Sequence, residues 1–273
     1  YEHVRSIVDL TELLNLPEYI FDTFIYDSER EKAENIAMNI LKSGKNVLIA
    51  GPAGVGKTAL MAMILYKLFR EHFSIGKIYD GASTIGKEHE EKGMILFYDD
   101  LLKLRLDALR SIIRNKVRFI IGTCREEEMN ELLKRTDGEL LDNFYVIHIS
   151  AMSKEKLIEM LKSYSARESI KVTSDAEEII IKNSLIGENK GIPQYIWMVI
   201  RDAKIEKISV IDREYAQKIP HGMYKYIDSI LWRILGKSPE KKYVLATLRI
   251  LCDMPNYEIM EEPVSYTHLT LPT

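Results

Sequence analysis

Gly51-Pro52-Ala53-Gly54-Val55-Gly56-Lys57-Thr58 stands between a short apolar run, Asn46 to Ala50 (NVLIA), and a long helical pattern that continues from Lys57 through Arg70. The stretch follows the spacing Gly-x4-Gly-Lys-[Ser/Thr], and its composition suits a loop that cradles phosphate. Glycines let the backbone turn without a Cβ, so successive N–H groups converge on one anion, and the helix starting near Lys57 adds the positive end of its dipole. Lys57 is placed to reach the β- and γ-phosphates of a nucleotide, and Thr58 to offer its hydroxyl to magnesium. At ordinary residue frequencies chance produces this pattern in roughly one such chain in a hundred. A strand before it and a helix after it are the context the pattern requires.

Working outward, Ser28 predicts the N-cap of a helix through Glu29, Ala33, Ile36, Ala37, Ile40 and Leu41, closed by Gly44. Further short apolar runs occur at Ile75 to Tyr79, Met94 to Tyr98, Arg118 to Gly122 and Tyr145 to Ile149, with helical content between them. Runs that are apolar throughout suit strands covered on both faces. The pattern therefore predicts an α/β core with a five-stranded parallel sheet and flanking helices over residues 28–152, preceded by an N-terminal linker at 1–27. From Ser153 the pattern turns helical: Ser153 to Arg167, Ser174 to Leu185 and Pro193 to Lys207 predict an all-helical lid over 153–219, and Tyr224 to Leu235 a further helix. Ser238-Pro239-Glu240 supplies an N-cap and a first-turn proline for a helix through Tyr243, Leu245, Leu248 and Leu251, so 220–263 is the expected start of a third unit. Val264 to Thr273 (VSYTHLTLPT) resembles a peptide translated from sequencing-adapter DNA; 264–273 is set aside as a non-native tail, and the genuine chain is expected to continue past Pro263.

With 273 residues, 46% hydrophobic and 29% charged, the chain has enough apolar material for one or two cores. No apolar run approaches the roughly 20 residues of a membrane span. No leader opens the chain, so no membrane partner and a cytoplasmic location are expected. A net charge of -3 excludes a chain basic throughout and leaves room for a local basic patch. Cys124 and Cys252 lie far apart, which supports neither a disulfide framework nor a cysteine metal site, and the six histidines show no ligand spacing. Lys87 to Lys92 (KEHEEK) suits a solvated charged face. Tyr195, Trp197, Tyr224, Tyr226 and Trp232 fall at helical spacings that suit core packing.

The run Met94 to Tyr98 ends in Asp99-Asp100. In open α/β sheets ligands bind outside the carboxyl ends of the strands. Asp99 is thus the candidate to join Thr58 at magnesium, and Asp100 the candidate to orient or deprotonate an attacking water. With these elements the chain resembles the AAA+ ATPases and the related STAND NTPases over roughly residues 20–235. It is similar to archaeal AAA+ ATPases of the origin-recognition initiator kind. Arg118 to Arg125 (RFIIGTCR) resembles the sensor 1 strand of these families, which implies Thr123 near the γ-phosphate with Arg125 after it. Lys190-Gly191-Ile192-Pro193-Gln194 resembles the sensor 2 segment through which a lid meets nucleotide, making Pro193 a candidate contact. Tyr19 to Ile25 lies where this family packs adenine. Two departures stand out: Asp100 occupies a position where most AAA+ members carry glutamate, and Leu141-Asp142-Asn143 precedes Phe144 without an arginine finger, leaving Arg135 as a weak substitute. The second departure argues against a hexameric motor.

The resemblance implies ATP and Mg2+ as ligands and ATP hydrolysis as the reaction. It implies a nucleotide-driven switch in a DNA-associated process such as replication initiation, with a STAND-type signalling NTPase as the alternative. In the first, a DNA-associated ATPase meets double-stranded DNA through a missing, winged-helix-like C-terminal domain, with Lys237, Lys241, Lys242 and Arg249 compatible with phosphate contacts. In the other, a STAND-type switch holds nucleotide, hydrolyses it slowly and signals through protein partners or a homo-oligomer. Asp99-Asp100, Thr123 with Arg125, the Gly-x-Pro and the missing finger lean toward the second.

Overall fold

The computed structural model describes residues 1–17, 19–79, 94–114, 119–136, 138, 142–227 and 229. The Lys87 to Lys92 run, Arg118, Leu141, Trp232, Cys252, most of the helix expected from Tyr224, the unit expected after Ser238 and the 264–273 tail lie outside the described residues.

The chain opens with strand β1 (Glu2–His3), helix α1 (Ile7–Leu13) and the single turn α2 (Ile20–Thr23). The stretch expected to be a linker is therefore folded. Ser6 Oγ accepts from the Asp9 N–H at 3.1 Å while the Asp9 carboxylate accepts from the Ser6 N–H at 3.1 Å, a capping box that starts α1. Leu10, Leu14 and Ile20 are buried, so the segment is anchored by its own apolar residues.

Helix α3 (Ser28–Lys42) follows, capped one residue earlier than the spacing suggests: the Asp27 carboxylate accepts the Arg30 N–H at 2.8 Å. A carboxylate at the positive end of a helix is the stronger acceptor. The core proper then alternates β2 (Asn46–Gly51), α4 (Lys57–Arg70), β3 (Ile75–Lys77), β4 (Ile95–Tyr98), α5 (Leu106–Arg114), β5 (Phe119–Arg125), α6 (Met129–Arg135) and β6 (Phe144–His148). Among the described residues the sheet runs β1-β3-β4-β5-β2-β6. The expected five strands are all parallel. A sixth is added at the edge, where β1 pairs antiparallel with β3. Strand β2 lies between β5 and β6, and Val47 to Ala50 are fully buried, which is why this run carries no polar residue on either face. In register Gly51 stands opposite Arg125, and Tyr98 opposite Gly122. The loop after β2, the acidic pair after β4 and the end of β5 therefore leave the sheet along one carboxyl edge.

The remainder is helical with short ladders between the helices. Strand β7 (Met152–Ser153) leads into α7 (Lys154–Arg167), then β8 (Lys171–Val172), α8 (Ser174–Ser184), β9 (Lys190–Gly191), α9 (Pro193–Ile205), β10 (Val210–Ile211) and α10 (Arg213–Lys218). β7 pairs antiparallel with β9, and β8 parallel with β10. These two-residue pairings have no apolar alternation of their own and follow from how the helices dock. Ser153, Thr173 and Asp212 cap their helices by side-chain acceptance, and Pro193 occupies the first turn of α9. Tyr195 and Tyr226 pack in the core with ring centroids 5.4 Å apart, as their spacing predicts. Tyr224 does not; two residues from Tyr226 along a helix it faces the opposite way and is 70% exposed. No helix among the described residues is long and apolar enough to cross a membrane.

Candidate functional site

The loop from Gly51 to Thr58 turns between β2 and α4 with Gly54 and Gly56 both in the left-handed region, at φ of 77° and 96°. Gly56 is the N-cap of α4 and contributes no side-chain acceptor, so the first N–H groups of the helix are left to an outside partner. Among the described residues the N–H groups of Gly54, Val55, Gly56, Lys57 and Thr58 donate to no protein group. These residues line a cavity of about 340 Å³. Lys57 Nζ folds back onto the loop, donating to the carbonyls of Gly51 and Pro52 at 2.8 Å each. Burial, and then repulsion from Arg125, lowers its pKa below the ordinary lysine value. A ring of unclaimed amides beside a desolvated ammonium fits a polyphosphate.

At the same edge the Thr58 hydroxyl donates to Asp99 Oδ1 at 2.9 Å, bringing together residues that only the sheet makes neighbours. The Thr123 hydroxyl donates to the same oxygen at 2.7 Å and accepts the Asp100 N–H at 2.8 Å. Asp100 is left-handed, with φ 69° and ψ 78°, a conformation that costs a non-glycine residue on the order of 1 kcal/mol. Its Oδ1 is buried with no partner among the described residues, while Oδ2 lies 3.3 Å from Lys103 Nζ. Among the described residues no three His, Cys, Asp or Glu side chains gather into a metal site. Magnesium commonly takes one or two protein oxygens and completes its shell with phosphate and water, so the Thr58 and Asp99 oxygens fit it as a donor set.

Beyond the loop the lining is mainly apolar, with Leu14, Leu16, Pro17, Ile20, Phe24 and Ile25 from the N-terminal segment and Met152, Met160, Tyr164 and Trp197 from the helical region. Of the Tyr19 to Ile25 stretch, Ile20, Phe24 and Ile25 line this cavity and Tyr19 does not; Leu14 to Pro17 adds a part that no motif marked. Pro193 and Gln194 line the cavity from the start of α9. The Gln194 N–H donates to the Gly54 carbonyl at 3.2 Å. A Cβ at Gly54 would stand 2.7 Å from Met223 Sδ, 2.8 Å from Ile192 Cγ2 and 2.9 Å from Gln194 Oε1. Loop and lid thus touch at one glycine.

The arginines sort into three situations. Arg125, half exposed, sits 3.4 Å from Glu128 Oε1 at the end of β5. Arg135 is tied to the carbonyls of Leu102 and Leu104, so it braces the turn after β4 and is not presented to a neighbouring molecule. Arg30, which no motif marks, is 1% exposed and donates from Nη2 to the loop carbonyl of Val55 at 2.6 Å and to Ser150 O at 3.1 Å, while Nη1 pairs with Asp27. Its signal in the sequence is a charge on the stripe Arg30, Ala33, Glu34, Ala37, Met38 and Leu41, which is the buried face of α3. The other charge on that stripe, Glu34, is held by Tyr26 and Lys67.

The profile of the family described as novel STAND NTPase 3 matches residues 30–167. No curated protein matches the chain. Among solved structures, the Thermotoga maritima RuvB Holliday junction branch migration motor superposes with a TM-score of 0.52 at 20% identity, over 85% of this chain and 78% of that one. A closed-state cryo-EM reconstruction of Hsp104 with ATPγS and FITC casein gives a TM-score of 0.55 at 16% identity, over 81% of this chain and 48% of that one. At such identities the likeness establishes the fold, that of the AAA+ P-loop NTPases with a parallel-dominated sheet and flanking helices.

Proposed function

The chain belongs to the novel STAND NTPase 3 family, and from that premise we propose that it is an ATP-driven switch that binds ATP with magnesium, hydrolyses it slowly and signals through a protein partner. One observation carries the reading: unclaimed amides from Gly54 to Thr58 and the Thr58–Asp99 oxygen pair stand at the polar end of a cavity whose other end is apolar. A nucleotide has the same polarity, anionic at one end and a flat ring at the other.

In this reading the backbone from Gly51 through Pro52, Ala53, Gly54, Val55 and Gly56 to Lys57 and Thr58 holds the phosphates. Lys57 exchanges its two loop carbonyls for phosphate oxygens, a better match for an ammonium. Thr58 and Asp99 would hold the magnesium ion, which supplies charge neutralisation at the phosphates when bound. Asp100, whose Oδ1 is buried with no partner among the described residues, would orient the attacking water or take its proton. Arg125, close enough to Lys57 to lower its pKa, is the second cation at this end. Leu16, Ile20, Phe24, Met160 and Trp197, with Pro193 from the lid, would line the slot for the base. Loss of the γ-phosphate would remove contacts on the loop while the lid still rests on Gly54, and so bias the lid.

The DNA-associated reading, with double-stranded DNA as the partner of an initiator-like ATPase, rests on Lys237, Lys241, Lys242 and Arg249, which lie outside the described residues. Salt-dependent duplex binding by the full-length protein discriminates between the two partners. For the shared nucleotide step the test is a thermal-shift titration. Mg-ATP at about a hundred times its Kd stabilises the wild type by roughly 2.7 kcal/mol. Lys57→Ala keeps the fold and loses this shift; an unchanged shift in the variant defeats the assignment.

A further inference from the structure

We infer that Thr123 is a positioning residue that sets the magnesium-side carboxylates and makes no contact with phosphate. The inference deepens the nucleotide reading above and rests on it.

A threonine hydroxyl owns one proton. In this structure that proton goes to Asp99 Oδ1 at 2.7 Å, and a lone pair of the same oxygen takes the Asp100 N–H at 2.8 Å. The side chain is 2% exposed and is not among the residues that line the cavity, whereas Asp99 is. A γ-phosphate oxygen only accepts hydrogen bonds, so a Thr123 contact with it would take the shorter of the two hydroxyl bonds from Asp99 Oδ1 and leave the one from Thr58. The bonded arrangement also serves the neighbouring residue. Asp100 is held left-handed at φ 69°, and its N–H has no other acceptor among the described residues. Metal coordination would use a lone pair of the Thr58 hydroxyl and leave its proton on Asp99 Oδ1 at 2.9 Å, so Thr58 and Thr123 hold that oxygen together, and Thr123 does so from the buried side. One buried hydroxyl therefore fixes the direction of the Asp99 carboxylate and the backbone of Asp100 together. This departs from the resemblance, which implies Thr123 beside the γ-phosphate.

ADP separates the two roles because it has no γ-phosphate. Dissociation constants for ADP and ATPγS, measured on the full chain with magnesium and with EDTA, give the gain that the metal contributes to each nucleotide. Thr123→Val keeps the shape and removes the hydroxyl; it is expected to lose about tenfold of the magnesium gain for ADP and for ATPγS alike, in line with the loss of an outer-shell partner. The EDTA values are expected to stay within about twofold of wild type, and Thr123→Ser to restore the gain, since it keeps the hydroxyl. Thr123→Ala leaves room for a water at the Asp100 N–H and gives the same pattern should the valine variant fail to fold. A valine or alanine variant that keeps the full magnesium gain for ADP and weakens ATPγS alone overturns the inference and leaves the nucleotide reading standing. A wild type that binds neither nucleotide overturns both.

Discussion

Arg30→Met tests the brace under the phosphate loop. Methionine keeps the length and the apolar stem of the arginine, so the packing of α3 changes little. What disappears is the guanidinium, which is 1% exposed and holds Val55 O at 2.6 Å, Ser150 O at 3.1 Å and the Asp27 carboxylate. Hydrogen bonds to a charged group contribute about 1.5–3 kcal/mol each, and removing one partner of a buried ion pair costs roughly 3–5 kcal/mol. Asp27 is 16% exposed and keeps the Arg30 N–H as a cap donor, so water and backbone recover part of its loss. The low end applies, and a destabilisation of about 3 kcal/mol follows. For a chain of this size about 2–4 °C of Tm accompany each kcal/mol, so the melting temperature should fall by roughly 6–12 °C. Calorimetry of the apo protein reads this directly. A second scan with Mg-ATP should show a smaller ligand-induced shift than wild type, because the Val55 carbonyl that shapes the loop has lost its donor. A Tm within about 2 °C of wild type would refute the reasoning, since that corresponds to less than about 1 kcal/mol and means the guanidinium braces nothing.

Three further outcomes are expected. Asp100→Asn preserves Mg-ATP affinity and slows phosphate release in a steady-state assay by about a hundredfold, the scale of a lost general base; wild-type turnover removes Asp100 from that role. Gly54→Ala places a Cβ within 2.7–2.9 Å of three lid atoms and asks alanine to adopt φ 77°. The conformational term alone lowers stability by about 1–2 kcal/mol, and an unshifted urea midpoint contradicts it. At Glu128, burial first and Asp100 second raise the carboxyl pKa above its ordinary 4.5. The folded state then binds that proton more tightly than the unfolded state, so stability is lost as pH rises from about 4.5 through the folded pKa. Glu128→Gln should accordingly melt higher than wild type at pH 8, with the gain shrinking toward pH 4. Identical melting at pH 8 would show that the carboxylate carries no such penalty.

How much of this was legible in the sequence depends on whether the cause was local. The bounds of α4 match the spacing at both ends, because a left-handed glycine before Lys57 and an apolar stripe to Arg70 are properties of the segment itself. The five parallel strands were legible for the same reason, each being an apolar run buried on two faces. Strand β1 was not: Glu2 and His3 are exposed and become a strand only because β3 offers an edge. Helix α1 carried a readable signal in Ser6 and Asp9, a capping spacing followed by apolar residues. In the site, Thr58 and Asp99 could be paired on paper only through the rule about carboxyl edges, and the double role of the Thr123 hydroxyl could not be, since its partners depend on strand register. Arg30 was hidden differently. A charge on an apolar stripe signals something buried, but its acceptors, 25 and 120 residues away, belong to tertiary structure.

The contact at Gly54 gives the switch reading its physical content. A ligand shifts a conformational equilibrium only by the difference in its contacts between the two states. Here Gly54, which lines the cavity, uses its carbonyl to accept the Gln194 N–H at 3.2 Å, so cavity side and lid side share one residue. Any rotation of the backbone that improves one bond alters the other, without a chain of intermediates. Ile192, at the start of α9, and Met223, after α10, both come close to the same glycine, which brings the segment beyond Ile219 to the loop. In the switch reading Lys57 would supply the difference between states: its ammonium bonds the carbonyls of Gly51 and Pro52 here, and on phosphate it would release both. In that reading the lid would thus be coupled to the occupant of the loop through the two peptide groups of Gly54, and its response would scale with what Lys57 gives up.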